Sequence, residues 1–154
     1  MAGPLPGSAP GTEAEPALAR LLARGVRRAL GDLGFATVTE LVLASGRRAD
    51  VAGIDRRGEV VIVEIKTSLA DFRADAKWVE YLEFCDSYYF AVPDHFPRDV
   101  LPHDHGLIVA DAWNATILRP SAETAMNGAR RKAQTLLFAR LGARRLRLLV
   151  DPPV

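Results

Sequence analysis

The sequence has little cysteine and no long apolar run. Cys85 is the one cysteine among 154 residues, which excludes an intramolecular disulfide, and no Cys/His cluster has the spacing of a structural zinc site. No segment reaches the roughly 18 consecutive apolar residues that a membrane-spanning helix needs. The first residues lack the basic start and apolar run of a signal peptide. These absences predict a soluble, cytoplasmic protein with no membrane partner.

Composition separates a short leader from the rest of the chain. Residues 1–16, MAGPLPGSAPGTEAEP, are rich in Pro, Gly and Ala and predict a disordered leader. The chain is 49% hydrophobic and 25% charged, and its length suits one domain, predicted over residues 17–154. The net charge of +1 hides arginine-rich segments near both ends, which permit a polyanionic partner.

The first half of the domain predicts a helix and three strands. From Ala17 to Leu33, apolar residues recur at three- and four-residue steps, as in an amphipathic helix. Three extended segments follow at Thr37–Leu43, Arg48–Ile54 and Val60–Lys66, separated by hairpin-length turns. They predict an antiparallel meander. The third is apolar on both faces until Glu64, which is typical of a central strand.

The second half predicts a helix over Ala70–Cys85, capped by Thr67 or Ser68. The segments SYYFAVP, GLIVAD and ATILR then predict a fourth strand and a further hairpin, and Glu123–Leu141 predicts a long basic helix. The fold class is therefore α/β, a small mixed sheet flanked by helices.

Charged side chains end the apolar third strand. Residues two apart on a strand share a face, so Glu64 and Lys66 project together, and the preceding turn brings Asp50 near Glu64. Converging carboxylates repel one another unless a cation lies between them, and Mg²⁺ binds carboxylate oxygens while keeping several waters. Lys66 would then hold the attacking water or balance charge on phosphorus. The alternative is a solvent-facing Glu64–Lys66 ion pair worth under about 1 kcal/mol.

Further charged residues could complete such a site. Arg47 and Arg48 adjoin Asp50 and are candidates for a phosphate clamp. Asp75 is predicted on the second helix, on the same face as Trp78. It either orients the substrate or supports the other site residues, or it is a surface residue. Glu40 on the first strand is a possible third carboxylate or an exposed strand residue.

Several other residues have a packing interpretation beside a functional one. Trp78 and Tyr81 could stack on bases, but their helical spacing favours core packing. His103 and His105 could reach one metal, but their Pro-rich loop favours a surface position. Cys85 is predicted to be a small buried hydrophobe. The arginines of ARRKAQ and ARRLR form solvated helix faces or contact phosphates.

The order of elements around Asp50 and Glu64-Ile65-Lys66 resembles the PD-(D/E)XK nuclease superfamily. The segments GRRADV, VEIKTS, DFRADAKWVEY, CDSYYFAVP and GLIVADA are similar, more closely, to the MmcB-like family of DNA repair endonucleases. The likeness implies a restriction-endonuclease-like αβββαβ core with an appended hairpin and C-terminal helix. It also implies that Asp50, Glu64 and the Ile65 carbonyl hold a metal and that Lys66 serves the water. Ala49 stands where the superfamily name has proline.

The function expected from this resemblance is a Mg²⁺- or Mn²⁺-dependent DNA endonuclease of DNA repair, with DNA and other repair proteins as partners. A non-catalytic nucleic-acid-binding or scaffold protein that keeps the nuclease fold is the competing hypothesis. RNA as the substrate is a third.

Overall fold

A computed structural model describes residues 14–154 as a six-stranded sheet in the order β1-β2-β3-β4-β5-β6. In chain order, the elements are α1 (Ala14–Asp32), β1 (Ala36–Val42), β2 (Arg48–Ile54), β3 (Val60–Ile65), α2 (Leu69–Ala74), a 3₁₀ helix (Trp78–Phe84), β4 (Ser87–Val92), a short 3₁₀ turn (Arg98–Val100), β5 (Gly106–Ala110), β6 (Ala115–Arg119) and α3 (Gly128–Val150).

The sheet is mixed. Strands β1, β2 and β3 form an antiparallel meander, β4 and β5 add in parallel to β3, and β6 returns antiparallel to β5. The α/β class, the meander and the closing hairpin are confirmed. The helix–strand–strand–strand–helix–strand order is the restriction-endonuclease-like core that the resemblance implies.

Two apolar clusters lie on the two faces of the sheet. Leu22, Val26 and Leu30 of α1 pack on one face, against alternate β3 residues. Side chains of α2, the 3₁₀ helix and α3 pack on the other, around the buried Phe90. All six residues of β3 are buried, which confirms that β3 is a central strand. Its carboxyl end therefore opens between the two helical layers.

The predicted leader lies partly outside the described structure. Residues 1–13 lie outside it, and α1 begins at Ala14, so the last three residues of the predicted leader form the first turn of this helix. No helix within residues 14–154 is long and apolar enough to cross a membrane.

The prediction of one helix over Ala70–Cys85 was wrong. Ser68 caps α2 as expected, by accepting from the Asp71 N–H, but α2 ends at Ala74, and Asp75 is extended with φ −106° and ψ 90°. One carboxylate oxygen of Asp75 accepts from the Lys77 N–H, and the other accepts from Lys66 Nζ. A short polar side chain that binds nearby groups in this way competes with continued helical hydrogen bonding.

The predicted start and end of the last helix were also wrong. The Asn127 side chain caps α3 by accepting from the N–H groups of residues 129 and 130, and the helix continues to Val150. The segment ahead of it is extended because Asp86 binds it: the Asp86 carbonyl accepts from the Thr124 N–H, and Asp86 Oδ1 accepts from the Met126 N–H. These contacts hold residues 123–126 out of the helix.

Candidate active site

The candidate site lies where β2 and β3 stop pairing through their backbones. The last ladder pair is Val51 with Val63. Beyond this pair, side-chain oxygens take the place of backbone carbonyls as hydrogen-bond acceptors between the two strands. Glu64 Oε1 accepts from the Asp50 N–H at 3.1 Å, and Asp50 Oδ2 accepts from the Ile65 N–H at 2.8 Å. The two carboxylates are thus fixed by each other's strands, and each uses one oxygen for this purpose.

The Ile65 carbonyl belongs to the same arrangement. In a strand, the N–H and C=O of one residue point to the same neighbouring strand. Because the Ile65 N–H donates to Asp50 on β2, its carbonyl also faces β2, beyond the end of the ladder. A backbone oxygen therefore accompanies the two carboxylates.

A cleft of about 530 Å³ opens over these groups. It is bounded by the start of α1, the start of β2, the end of β3, and the segment that leads into α2. The residues lining it are Glu15, Pro16, Ala19, Arg48, Asp50, Glu64, Ile65, Lys66, Thr67, Asp71 and Tyr81. Asp50, Glu64, Ile65 and Lys66, which the sequence predicts as one site, are brought together here.

The electrostatics of the pair favour a bound proton or cation. Glu64 is 4% exposed, and this burial, followed by the charge of Asp50, raises the pKa of Glu64 well above its usual value. Burial also raises the pKa of Asp50, although the Ile65 N–H and a hydrogen bond with Glu64 oppose the rise. A buried carboxylate beside a half-buried one disfavours ionisation of both unless a positive charge compensates.

Lys66 lies in the wall of the cleft and faces Asp75. It is 4% exposed, and its Nζ donates to Asp75 Oδ2 at 2.9 Å. The interpretation of Glu64 and Lys66 as a solvent-facing ion pair was therefore wrong, since both are buried. Burial acts to raise the pKa of Asp75, but the hydrogen bonds from Lys66 and Lys77 outweigh it, so the pKa is lowered and Asp75 stays ionised.

The structure brings one member of the proposed arginine clamp to the cleft. Arg48 is exposed and lines it. Arg47 instead forms an ion pair with Glu80 of the 3₁₀ helix, with Nε 2.6 Å from Glu80 Oε2. Arg47 and Arg48 are therefore not equivalent, because an acid already neutralises Arg47.

Glu40 does not complete a three-carboxylate set. It is exposed on β1 with φ 53° in the left-handed region, and the β1–β2 pairing skips it, passing from Thr39 to Leu41. It lines an adjoining groove with Asp50, whereas Glu64 faces the other cleft. Within residues 14–154, no three His, Cys, Asp or Glu side chains group closely enough to hold a metal by themselves.

Asp71 and Tyr81 are among the cleft residues that were not assigned to the site from the sequence. Asp71 Oδ2 accepts from the Thr67 N–H at 3.0 Å and so closes the turn after Lys66. The Tyr81 hydroxyl donates to the Arg48 carbonyl at 2.9 Å, and burial, followed by the charges of Glu64 and Asp50, raises the pKa of Tyr81 to about 12. The position of Asp71 in a first helical turn was visible, but nothing local linked Tyr81 to Arg48.

The packing interpretations of Trp78, Tyr81 and Cys85 are confirmed. Tyr81 and Cys85 are each 4% exposed. Trp78 packs against Phe90, with ring centroids 5.2 Å apart. The predicted surface position is confirmed for His103, which is exposed, but was wrong for His105, which is half-buried and packs edge-on against Trp78 at 4.8 Å.

Comparisons with known proteins agree with this architecture. The family model described as "DNA repair protein MmcB-like" matches residues 8–153. A solved structure of a protein of unknown function from Silicibacter pomeroyi is 48% identical, with 87% of this chain and 92% of that chain covered and a TM-score of 0.85. A repair endonuclease from Pyrococcus abyssi matches at 23% identity over 57% of this chain and 40% of that chain, with a TM-score of 0.35, which is too weak to bear on fold or function. No curated protein gives a significant match.

Proposed function

Because the chain belongs to the MmcB-like DNA repair protein family, we propose that it is a metal-dependent DNA endonuclease that hydrolyses phosphodiester bonds in DNA repair. The observation that carries the proposal is the pair of carboxylates formed by half-buried Asp50 at the start of β2 and buried Glu64 at the end of β3, each accepting a backbone N–H of the other strand, with Lys66 beside them. A purely structural role would not require two acids in contact at the floor of a cleft. The proposal includes a cytoplasmic location and contacts with other repair proteins.

The donor set fits Mg²⁺, or Mn²⁺ in its place. Asp50 Oδ2 and Glu64 Oε1 accept backbone N–H groups, so Asp50 Oδ1 and Glu64 Oε2 are the oxygens offered to a cation, together with the Ile65 carbonyl. Three protein oxygens suit an ion that prefers oxygen ligands and retains several waters. When bound, such an ion stabilises the charge that develops on the transferring phosphoryl group.

In this proposal, Lys66 and Asp75 act on the attacking side of the phosphate. The Lys66 ammonium is held by Asp75 at 2.9 Å, which fixes a positive charge two residues from Glu64. A fixed ammonium can orient a water or balance charge on phosphorus without rearranging during the reaction. Asp75 is thus a positioning residue for Lys66, and Arg48 at the rim is the contact for a neighbouring phosphate.

The test compares Lys66→Ala with Lys77→Ala, because Lys77 is an exposed lysine of a neighbouring segment and lies outside the cleft lining. Single-turnover cleavage is measured on flapped, branched, nicked and damaged DNAs with Mg²⁺, with Mn²⁺ and with chelator. Lys66→Ala is expected to cleave about 10²–10³-fold more slowly, while its DNA affinity changes by about 1 kcal/mol or less. Lys77→Ala should cleave at the wild-type rate.

Thermal unfolding of both variants separates loss of chemistry from loss of fold. Lys66→Met, which keeps an apolar stem of similar volume, repeats the test without a cavity. Wild-type protein that cleaves no DNA in the panel, or a Lys66→Ala variant as fast as wild type, would remove the catalytic assignment.

One observation favours a second function, a DNA-binding module that keeps the fold without cleaving. Among the residues that the structure describes, no three His, Cys, Asp or Glu side chains lie close enough together to hold a metal by themselves. Metal-independent DNA binding with no product in any lane is the result that this alternative expects. The same cleavage panel therefore decides between the two functions.

A further inference from the structure

A second groove, which we call the arginine groove, leads away from the candidate site along α1. It has a volume of about 680 Å³ and is lined by Pro16, Ala19, Arg20, Ala23, Arg24, Arg27, Arg28, Thr37, Thr39, Glu40, Arg48, Asp50 and Ile65. It shares Pro16, Ala19, Arg48, Asp50 and Ile65 with the carboxylate cleft. The two depressions are therefore continuous, with Asp50 at their junction.

The charge of the arginine groove is strongly positive. Five arginines and only two acids, Glu40 and Asp50, line it. Within residues 14–154, none of the five arginines forms an ion pair, whereas Arg47, Arg57, Arg98, Arg130 and Arg131 all do. Charges that no nearby acid compensates suit a polyanionic ligand.

The spacing of these arginines suits one strand of nucleic acid. At 100° per residue, the four arginines of α1, at positions 20, 24, 27 and 28, fall within an arc of about 100° on the helix. From Arg20 to Arg28 the helix rises about 12 Å at 1.5 Å per residue. A row of that length can contact more than one phosphate of the same strand.

An exposed tryptophan, which is not itself part of the groove lining, lies beside two of the groove arginines. Trp113, in the β5–β6 turn, is 65% exposed. The guanidinium carbons of Arg24 and Arg28 lie 4.4 and 5.2 Å from the centroid of its ring. A large aromatic ring left open to solvent beside arginines is the arrangement on which unpaired bases stack.

Gly25 makes this arrangement possible. A Cβ at Gly25 would lie 2.0 Å from the Asp111 carbonyl oxygen and 2.7 Å from that of Asn114, both in the β5–β6 turn. Only glycine therefore lets α1 approach the backbone of the turn so closely. That approach brings Arg24 and Arg28 over the Trp113 ring.

We infer that a single strand of DNA lies in the arginine groove, with its phosphates on Arg20, Arg24 and Arg28 and an unpaired base stacked on Trp113, so that the strand enters the cleft at Asp50. The inference rests on the proposed function for the identity of the substrate. A single strand is favoured over a duplex because an indole can stack only on a base whose face is not covered by its neighbours.

Binding is measured with chelator present, so that neither metal nor cleavage contributes. The probes are a fluorescein-labelled oligothymidylate and a hairpin duplex of equal charge. Trp113→Ala should weaken binding of the single strand about 5- to 150-fold, the range for loss of one stacked base, and leave duplex affinity unchanged. Trp113→Phe, which keeps an aromatic ring, should restore most of the lost affinity.

The contribution of the arginines is read from the salt dependence. The double variant Arg20→Ala/Arg24→Ala should reduce the slope of log Kd against log salt by about 1.4, since each phosphate contact on a single strand contributes about 0.7. The matched control is Arg140→Ala/Arg144→Ala on α3, which carries two exposed arginines on a different helix and should leave the slope unchanged.

A direct signal comes from Trp113 itself. The chain has two tryptophans, so Trp78→Phe leaves Trp113 as the only one, and its fluorescence should be quenched as the oligothymidylate binds. Unchanged fluorescence, unchanged affinity in Trp113→Ala, or equal losses in the α1 and α3 double variants would overturn the inference.

Failure of the inference about the arginine groove is distinguishable from failure of the proposed nuclease function. Quenching and salt effects as described, with no cleavage on any substrate, would support the groove and remove the nuclease. Metal-dependent cleavage that needs Lys66 but is indifferent to Trp113 and Arg24 would do the reverse.

Discussion

Replacement of Glu64 by Gln is expected to leave the metal-free protein at least as stable as wild type and to remove most of its response to Mg²⁺. The Gln amide oxygen can still accept the Asp50 N–H that Glu64 Oε1 accepts at 3.1 Å. What the substitution removes is the charge of a carboxylate that is 4% exposed and whose pKa is raised by burial and by Asp50.

The magnitude follows from linkage. Each tenfold change in the proton affinity of a group on folding corresponds to about 1.4 kcal/mol. Removal of the Glu64 carboxylate, whose pKa is raised by folding, should therefore add on the order of 1–2 kcal/mol to the free energy of unfolding at neutral pH. Glu64→Ala should instead destabilise by about 1–3 kcal/mol, because it leaves the Asp50 N–H without an acceptor. The two variants therefore change stability in opposite directions.

The assay is thermal unfolding with and without Mg²⁺. An ion at ten times its dissociation constant stabilises the folded state by about 1.4 kcal/mol, a rise in Tm of about 3–6 °C for a domain of this size. Glu64→Gln should lose most of that rise, and Asp50→Asn should behave in the same way. A Glu64→Gln variant that is clearly destabilised without metal, or that responds to Mg²⁺ like wild type, would refute this account of the site.

Three further predictions concern other parts of the molecule. Asp86→Asn should cost about 1–3 kcal/mol at neutral pH by breaking the ion pair between buried Asp86 and half-buried Arg131. Burial acts to raise the pKa of Asp86, but the Arg131 and backbone hydrogen bonds lower it. The stability that Asp86 contributes is therefore present above its unfolded pKa of about 3.9 and is lost as pH falls through the lower folded pKa. Urea unfolding at neutral and acidic pH should show that the stability difference between wild type and Asp86→Asn shrinks in acid. Cys85, buried and with its pKa raised to about 12 by burial and then by Asp86, should react with a thiol reagent at least about 100-fold more slowly than in denaturant. Arg48→Ala should weaken DNA binding more than Arg47→Ala in a titration at low salt, and equal losses would contradict the clamp assignment.

The sequence by itself determined the sheet and the centre of the site. The alternation of β1 and β2 and the doubly apolar β3 follow from burial of strand faces, which acts on each segment separately. Asp50 and Glu64 are 14 residues apart across one short turn, so the hairpin register alone brings them together. The catalytic hypothesis could therefore be written from local pattern.

The partners of these residues were decided only by tertiary structure. Lys66 binds Asp75 because α2 ends early, and helical periodicity could not predict that end, since a single side chain competes there with the helix. Arg47 meets Glu80 across 33 positions, and Arg131 meets Asp86 across 45. Ion pairs at such separations depend on how the helices pack on the sheet, which no local pattern specifies.

The arginine groove shows the same division most clearly. The arginines of α1 could be read from the sequence as one polar face of a helix, but Trp113 lies more than 80 positions further along the chain. The two meet because Gly25 lets the helix lie against the backbone of the β5–β6 turn. Close packing of two backbone segments that are distant in sequence is a property of the folded molecule. Only this packing places the arginines of α1 and Trp113 on one surface.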